Sequence, residues 1–140
     1  MPQTLSLVVK NDLAEIPRLA EIVSRFCSDH QLSPELEFDL NLALDEVVAN
    51  VIRHGYQDPG PHQMEVSFAL GDKELTVSVE DDGVPFNPLE APPPNLNLPI
   101  EERRPGGLGI HLAKNLMDQL HYQRRGDCNI LTMKKNLWPH

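Results

Sequence analysis

The chain has 140 residues, with 12 basic and 21 acidic side chains, a formal net charge of −9 and 40% hydrophobic residues. This length predicts a single domain over residues 1–140. The acidic balance argues against nucleic-acid binding, no apolar run reaches the roughly 18 residues of a membrane span, and the two isolated thiols, Cys27 and Cys128, suit the cytoplasm.

The first half of the chain predicts one strand and two helices. Residues 3–10 alternate well enough to form a strand. The Asn11–Asp12 pair offers N-cap chemistry, and apolar residues recur at helical spacing over 13–30. Ser33 begins a second helix as its cap, with a proline at the first helical position, and Gly55 is a natural stop.

The second half predicts two pairs of strands around a long connection. Residues 64–70 and 75–80 alternate on either side of a turn and predict an antiparallel hairpin. The segment 87–105 is rich in proline and has no periodicity, which is typical of a functional lid or a disordered segment. We expect a helix over 107–120, and the last two strands near 120–125 and 129–136.

This order of elements indicates an α+β fold. Helices and hairpins follow one another in runs and do not alternate strictly as strand and helix. We therefore expect a two-layer α/β sandwich, with the helices on one face of a mostly antiparallel, mixed sheet.

The second helix carries a polar line beside its apolar face. Glu46, Asn50 and His54 each lie about 40° from the previous one, along the border of the apolar arc. The common alternative is a solvated edge. A carboxylate at such a border can act as a base, and an Asn oxygen suits Mg²⁺. His54 is expected to be only a cation at a helix end, and Asp45 to be solvated.

Two adjacent acids end the second strand of the hairpin. The apolar residues of 75–80 share one face, Asp81 continues that inward parity, and Asp82 falls on the outward face. A carboxylate on the core side must find a donor. A protein donor would make Asp81 structural, whereas an adenine amino group would make it a specificity residue. Both alternatives remain open from the sequence.

A glycine-rich stretch, Gly106-Gly107-Leu108-Gly109, begins the predicted helix near the C-terminus. The free N–H groups of a helix start suit an anion, although a plain hinge is equally compatible with these glycines. The stretch fits neither the Walker nor the dinucleotide-binding pattern.

The segments LALDEVVANVIRHGY (42–56), VEDDGVPFNP (79–88) and GGLGIHLAKNLMDQL (106–120) together resemble the ATP-binding (Bergerat) fold of gyrase B, Hsp90, histidine kinases and MutL. Within that superfamily they are most similar to small serine-protein kinases that act as anti-sigma factors. The resemblance covers roughly residues 5–135.

The resemblance implies a role for each motif residue. Glu46 would be the catalytic base, and Asn50 would bind Mg²⁺. Asp81 would bind the adenine of ATP, with Gly83 beside it.

The resemblance also implies a phosphate site and a lid. Gly106, Gly107 and Gly109 would lie against the phosphates, and 87–105 would close over the nucleotide. The chain departs from the family pattern at Cys128–Asn129, where many members have a Gly-Thr pair whose Thr helps to hold adenine.

The function implied is an ATP-dependent serine/threonine-protein kinase. It would act as an anti-sigma regulatory factor that phosphorylates a small antagonist protein on Ser, with a sigma factor as the other partner and a homodimer as the assembly. The alternative is a non-catalytic ATP-binding module that controls partner binding.

Overall fold

The computed structural model describes residues 3–54, 62–85, 87, 89 and 113–137. The elements are β1 (Gln3–Lys10), α1 (Glu15–Asp29), α2 (Pro34–His54), β2 (Gln63–Leu70), β3 (Glu74–Asp81), β4 (Gln119–Arg125) and β5 (Cys128–Asn136). A further helical turn occupies 113–116. Over these ranges, the helices lack the combination of length and hydropathy that crossing a membrane requires.

The five described strands form one sheet in the order β1-β2-β3-β5-β4. All four pairings between them are antiparallel. The register places the inward-facing residues of neighbouring strands opposite one another. Val79 on β3, for example, pairs with Val66 on β2 and with Leu131 on β5. The same register places Asp81 opposite Asn129. The predicted α+β class is confirmed.

Apolar side chains fill the layer between α1, α2 and one face of the sheet. The aromatic rings of Phe26 on α1 and Phe68 on β2 lie 5.2 Å apart between centroids. Because one face of β2, β3 and β5 is buried, a slip of register by one residue would expose the inward side chains of these strands. The core comprises Val9, Leu19, Val23, Phe26, Cys27, Leu40, Ala43, Leu44, Val47, Val48, Met64, Val66, Phe68, Leu75, Val77, Val79, Ala113, Met117, Leu131 and Met133.

The start of α1 differs from the predicted cap. The helix begins at Glu15, and Ala14 at the N-cap position makes no side-chain capping bond. Asp12 accepts the backbone N–H of Ala14 at 2.9 Å, which forms a turn before the helix. Glu15 accepts the N–H of Lys10 at 3.0 Å and pairs with Arg18 at 2.8 Å. The Arg18 hydrogen bond is the main cause of a lowered Glu15 pKa.

The start of α2 agrees with the sequence. Ser33 Oγ accepts the backbone N–H of Leu36 at 3.1 Å, as a capping serine does. Glu35 and Glu37 lie in the first turn, where the positive end of the helix dipole favours them. The proposed stop at Gly55 lies outside the described residues.

The last predicted helix is shorter than expected at its C-terminal end. Gln119 and Leu120 belong to β4, because pairing with β5 competes with the helical pattern there. The ammonium group of Lys135, which lies between the layers, donates to the Leu116 carbonyl oxygen at 2.5 Å and lies 3.6 Å from Asp39 on α2. Lys135 therefore ties the end of the helical turn to β5 and α2.

The C-terminus of α1 has left-handed backbone at a residue that is not glycine. Gln31 has a φ of 57°. The N–H of Leu32 donates to the Cys27 carbonyl at 2.9 Å, and the N–H of Gln31 donates to that of Ser28 at 3.2 Å. This pair of bonds is the Schellman arrangement, which usually has glycine at the left-handed position.

We predict that Gln31→Gly raises the free energy of unfolding by about 0.5–1 kcal/mol, because glycine removes the steric cost of this backbone conformation. Urea denaturation followed by circular dichroism measures the change. Gln31→Ala is the control, since alanine keeps the clash. An equal gain in both variants would contradict the explanation.

Candidate functional site

Three polar side chains are buried in the part of the chain that the structure describes. They are Asn50 on α2, Asp81 at the end of β3 and Asn129 near the start of β5, each 5% exposed. Asn50 lies on α2, which packs against β3, and Asp81 is the last residue of that strand. A buried polar group requires a partner, so these three residues form the candidate site.

The apolar face of α2 holds Glu46 and Asn50 in place. Val47 and Val48 are buried in the core, which fixes the rotation of the helix. Glu46 is half-buried and Asn50 buried, so the sequence was right to place both at the border of the apolar arc. Residues four apart on a helix have Cβ atoms about 5–6 Å from each other, close enough for both side chains to act on one ligand.

The carboxamide of Asn50 fits a role in ligand binding. Asn50 is 5% exposed and lies on α2 one helical turn after Glu46. The described part of the chain also offers no group of three His, Cys, Asp or Glu side chains that could hold a metal ion. Magnesium is commonly held by one or two protein oxygens, with phosphate and water oxygens as its other ligands. The carboxamide oxygen of Asn50 is therefore compatible with a place in such a Mg²⁺–nucleotide complex.

Strand parity places Asp81 as predicted, and the donors that the structure describes are protein groups, which is the first of the two alternatives that the sequence left open. Asp81 Oδ1 accepts the N–H of Gly83 at 2.8 Å and the Nδ2 group of Asn129 at 3.1 Å. Both donors are protein groups and both reach the same oxygen. The second oxygen, Oδ2, takes no part in either of these two bonds.

Several effects of opposite direction act on the pKa of Asp81. Burial is the largest and raises the pKa of the carboxyl, and the charge of Asp82 adds to that effect. The hydrogen bonds from Asn129 and Gly83 act in the opposite direction, as does the positive charge of Arg124. The net pKa is raised.

Asp82 faces away from this layer, as its parity predicts. Its side chain is 62% exposed, and its Oδ1 lies 4.0 Å from Nδ1 of His62. The two residues border an open depression of about 740 Å³ at the ends of β1 and β3, which Lys10, Asn11, Asp12 and Gln63 also line. The adjacent acids therefore belong to different surfaces.

The contribution of the β4–β5 hairpin to this site was not predicted from the sequence. Asn129 was noted only as a departure from a family pattern, yet it binds Asp81 directly. Tyr122 and Arg124, on β4, complete the contacts: Tyr122 donates to Asn129, and Arg124 donates to the Gly83 carbonyl at 2.9 Å. Asn129 shares the inward parity of Leu131 on β5, and this parity is the feature of the sequence from which its burial could have been predicted.

The expectation that Asp45 is solvated was wrong. Its Oδ1 is buried and has no hydrogen-bond partner among the described residues, and the same is true of Oδ1 of Asn41 one turn earlier. Burial is the main cause that raises the pKa of Asp45 to about 6, and the charge of Glu46 adds to it. A helical wheel gives the direction of a side chain but not what covers it.

The glycines Gly106, Gly107 and Gly109 lie outside the described residues, as does most of the segment 87–105. In that segment, Leu89 is described, and its carbonyl accepts from Lys114 Nζ at 3.1 Å. The predicted phosphate contacts and lid stay predictions. The side chain of His54 also lies outside the described part.

A family model for the histidine kinase-like ATPase domain matches residues 9–135. The chain belongs to the histidine kinase-like ATPase family. It is 30% identical over 107 residues to the serine/threonine-protein kinase BtrW of Bordetella bronchiseptica, which covers 76% of this chain and 75% of BtrW. It is also 30% identical over 101 residues to the serine-protein kinase RsbW of Bacillus mycoides, covering 69% of this chain and 62% of that protein.

Two solved structures share the fold of this chain. The RsbU and RsbW domains of a Mycobacterium tuberculosis protein align with a TM-score of 0.69 and 15% identity, over 96% of this chain and 32% of theirs. The histidine kinase domain of a blue-light activated kinase from Erythrobacter litoralis aligns with a TM-score of 0.59 and 18% identity, over 89% of this chain and 60% of its own. The resemblance to serine-protein kinases of the Bergerat fold is confirmed.

The raised pKa of Asp45 makes the stability of this ATPase-family domain depend on pH. Between its ordinary value of 3.8 and about 6, the folded protein keeps a proton that the unfolded chain has released. The free energy of unfolding therefore falls as pH rises through this window, and the loss persists above it. The shift of about two units corresponds to roughly 3 kcal/mol, which the partial exposure of Asp45 reduces to about 1–2 kcal/mol.

We predict that Asp45→Asn stabilises the protein by about 1–2 kcal/mol at pH 8 and by little at pH 4, because Asn carries no charge and supplies a donor. Urea unfolding at several pH values measures this. Asp72→Asn, at an exposed turn, is the control and should leave the pH profile of wild type unchanged. A stabilisation by Asp45→Asn that does not vary with pH would refute the burial argument.

Proposed function

We propose that this protein is an ATP-dependent serine/threonine-protein kinase that acts as an anti-sigma regulatory factor in the cytoplasm. The observation that supports it most is the burial of two polar motif residues: Asn50 on α2, and Asp81 at the end of β3, whose two described hydrogen bonds both reach Oδ1. The serine-protein kinase names of BtrW and RsbW support the same reaction class.

Each site residue has a distinct role in this proposal. Asp81 Oδ2 accepts from the exocyclic amino group of adenine, and Gly83 allows the backbone to approach the base. Asn50 holds Mg²⁺ through its carboxamide oxygen, and the metal supplies charge neutralisation for the phosphates. Gly106, Gly107 and Gly109 lie against those phosphates.

Glu46 acts on the protein substrate. Its carboxylate takes the proton from the attacking seryl hydroxyl, while the seryl oxygen bonds to the γ-phosphorus and the bond to the ADP oxygen breaks. In phosphoryl transfer, positioning and charge stabilisation supply most of the rate enhancement, and a base adds to them. The half-buried position of Glu46 beside Asn50 suits that role.

The proposed partners are a small anti-sigma antagonist, phosphorylated on Ser, and a sigma factor, with the protein acting as a homodimer. These partners rest on the family resemblance. The alternative, a non-catalytic module that binds ATP to control its partners, is separated from the kinase by the experiment that follows.

We predict that Glu46→Gln lowers phosphoryl transfer at least about 100-fold while ATP binding is retained, because only proton removal is lost. The protein is mixed with Mg-ATP and the candidate antagonist, and phosphoserine is measured by mass spectrometry. Glu80→Gln, an exposed acid beside Asp81 in sequence, is the control. Transfer unchanged by Glu46→Gln would overturn its role, and ATP binding without any transfer in the wild type would favour the binding module.

We predict that Asn50→Ala removes the magnesium-dependent part of the stabilisation by ATP. A ligand at 100 times its Kd raises the free energy of unfolding by about 2.7 kcal/mol. Thermal unfolding is compared with Mg-ATP and with ATP plus a chelator. Asn41→Ala, on the same helix but without the proposed metal role, should retain the full magnesium effect. A wild type that Mg-ATP does not stabilise would contradict the nucleotide site itself.

A further inference from the structure

The carboxamide of Asn129 is oriented by the groups around it. Its Oδ1 accepts the hydroxyl of Tyr122 at 2.5 Å, and its Nδ2 donates to Asp81 Oδ1 at 3.1 Å and to the Val84 carbonyl at 2.8 Å. The carbonyl and the ionised carboxylate only accept, so the nitrogen must face them. A carboxamide turned the other way would place its oxygen against two acceptors.

The same contacts orient Asp81. Both of its protein donors, Gly83 N–H and Asn129 Nδ2, converge on Oδ1. The carboxylate is therefore held at one oxygen and presents the other. An amino group of a ligand would bind Oδ2, whereas a carbonyl at the same position would face it with no proton between them.

The β4–β5 hairpin also holds the turn that follows β3. Arg124 donates to the carbonyl of Gly83 at 2.9 Å, and Asn129 donates to that of Val84. Side chains from the hairpin thus engage two successive carbonyls beside Asp81. The ring of Tyr122 packs on the core and anchors the hydroxyl that reaches Asn129.

We propose that Tyr122 and Asn129 form a positioning pair for base recognition: Tyr122 fixes the Asn129 carboxamide, and Asn129 fixes Asp81 so that Oδ2 selects a purine with a 6-amino group over one with a 6-oxo group. This inference rests on the proposed nucleotide site. It assigns part of the selectivity of that site to Tyr122 and Asn129, which act through Asp81.

The first test is Tyr122→Phe, which removes one hydroxyl and keeps the ring in the core. We expect affinity for ATP, measured by calorimetry, to fall about fivefold, the effect of one hydrogen bond. Affinity for GTP should not change, so the ATP-to-GTP ratio falls by the same factor. Thr132→Val is the control, because this hydroxyl lies on the outward parity of β5. An unchanged ratio in Tyr122→Phe would overturn the pair.

A double-mutant cycle tests whether Tyr122 acts through Asn129. ATP and GTP binding are compared for Tyr122→Phe, Asn129→Ala and the two together. If Asn129 transmits the effect, Tyr122→Phe changes nothing further once Asn129→Ala is present. Additive losses would show that Tyr122 acts by another route and would overturn the proposal.

A third readout does not need a nucleotide. Carboxyl ¹³C NMR of the free protein follows the titration of Asp81, and we expect its pKa to rise in Tyr122→Phe because the bond that favours the ionised form is loosened. An unchanged titration would count against the pair. If the wild type binds neither nucleotide, the proposed function fails, and the titration still tests the Tyr122–Asn129–Asp81 connection.

Discussion

Burying the carboxylate of Asp81 costs free energy that hydrogen bonds must offset, and the arrangement of the site follows from this constraint. The donors come from the turn after β3 and from β5, so the carboxylate is satisfied only when β3 pairs with β5 in the observed register. The site thus depends on a pairing between residues 48 positions apart in the chain. A slip by one residue would remove the donor and turn Asp81 away from the helices.

A second constraint is that α2 contributes side chains both to the core and to the candidate site. Its valines pack on the sheet and fix the rotation that carries Glu46 and Asn50 to the border of the core. The same placement leaves Asp45 with a raised pKa and a buried oxygen that has no partner among the described residues. A buried polar oxygen without a partner costs stability, so the packing of α2 is not optimal at this position.

Secondary structure was predictable wherever one periodicity dominated. The strands of the 63–81 hairpin and the helix α2 follow periods of two and of 3.6 residues, and each was predicted within a residue or two. Prediction failed where two patterns compete. Gln119 and Leu120 continue a helical pattern but pair with β5, since long-range hydrogen bonds outweigh a local preference.

The residues of the candidate site, like the secondary structure, were predictable from the sequence only in part. Parity distinguished Asp81 from Asp82 because successive side chains of a strand point to opposite faces. No local rule could bring Asn129 and Tyr122 to Asp81, because their contacts cross the sheet between distant segments. The burial of Asp45 was missed for a related reason, since a wheel contains no information about neighbouring elements.

The sequence by itself determined the family, the order of elements, and the two motif residues Asn50 and Asp81 that the structure buries. These are properties of local spacing and alternation, which the chain carries before it folds. Only the tertiary structure decided which oxygen of Asp81 is held, which residue holds it, and how Tyr122 enters the site. Those contacts exist only after the sheet has formed, because strand pairing supplies the donors.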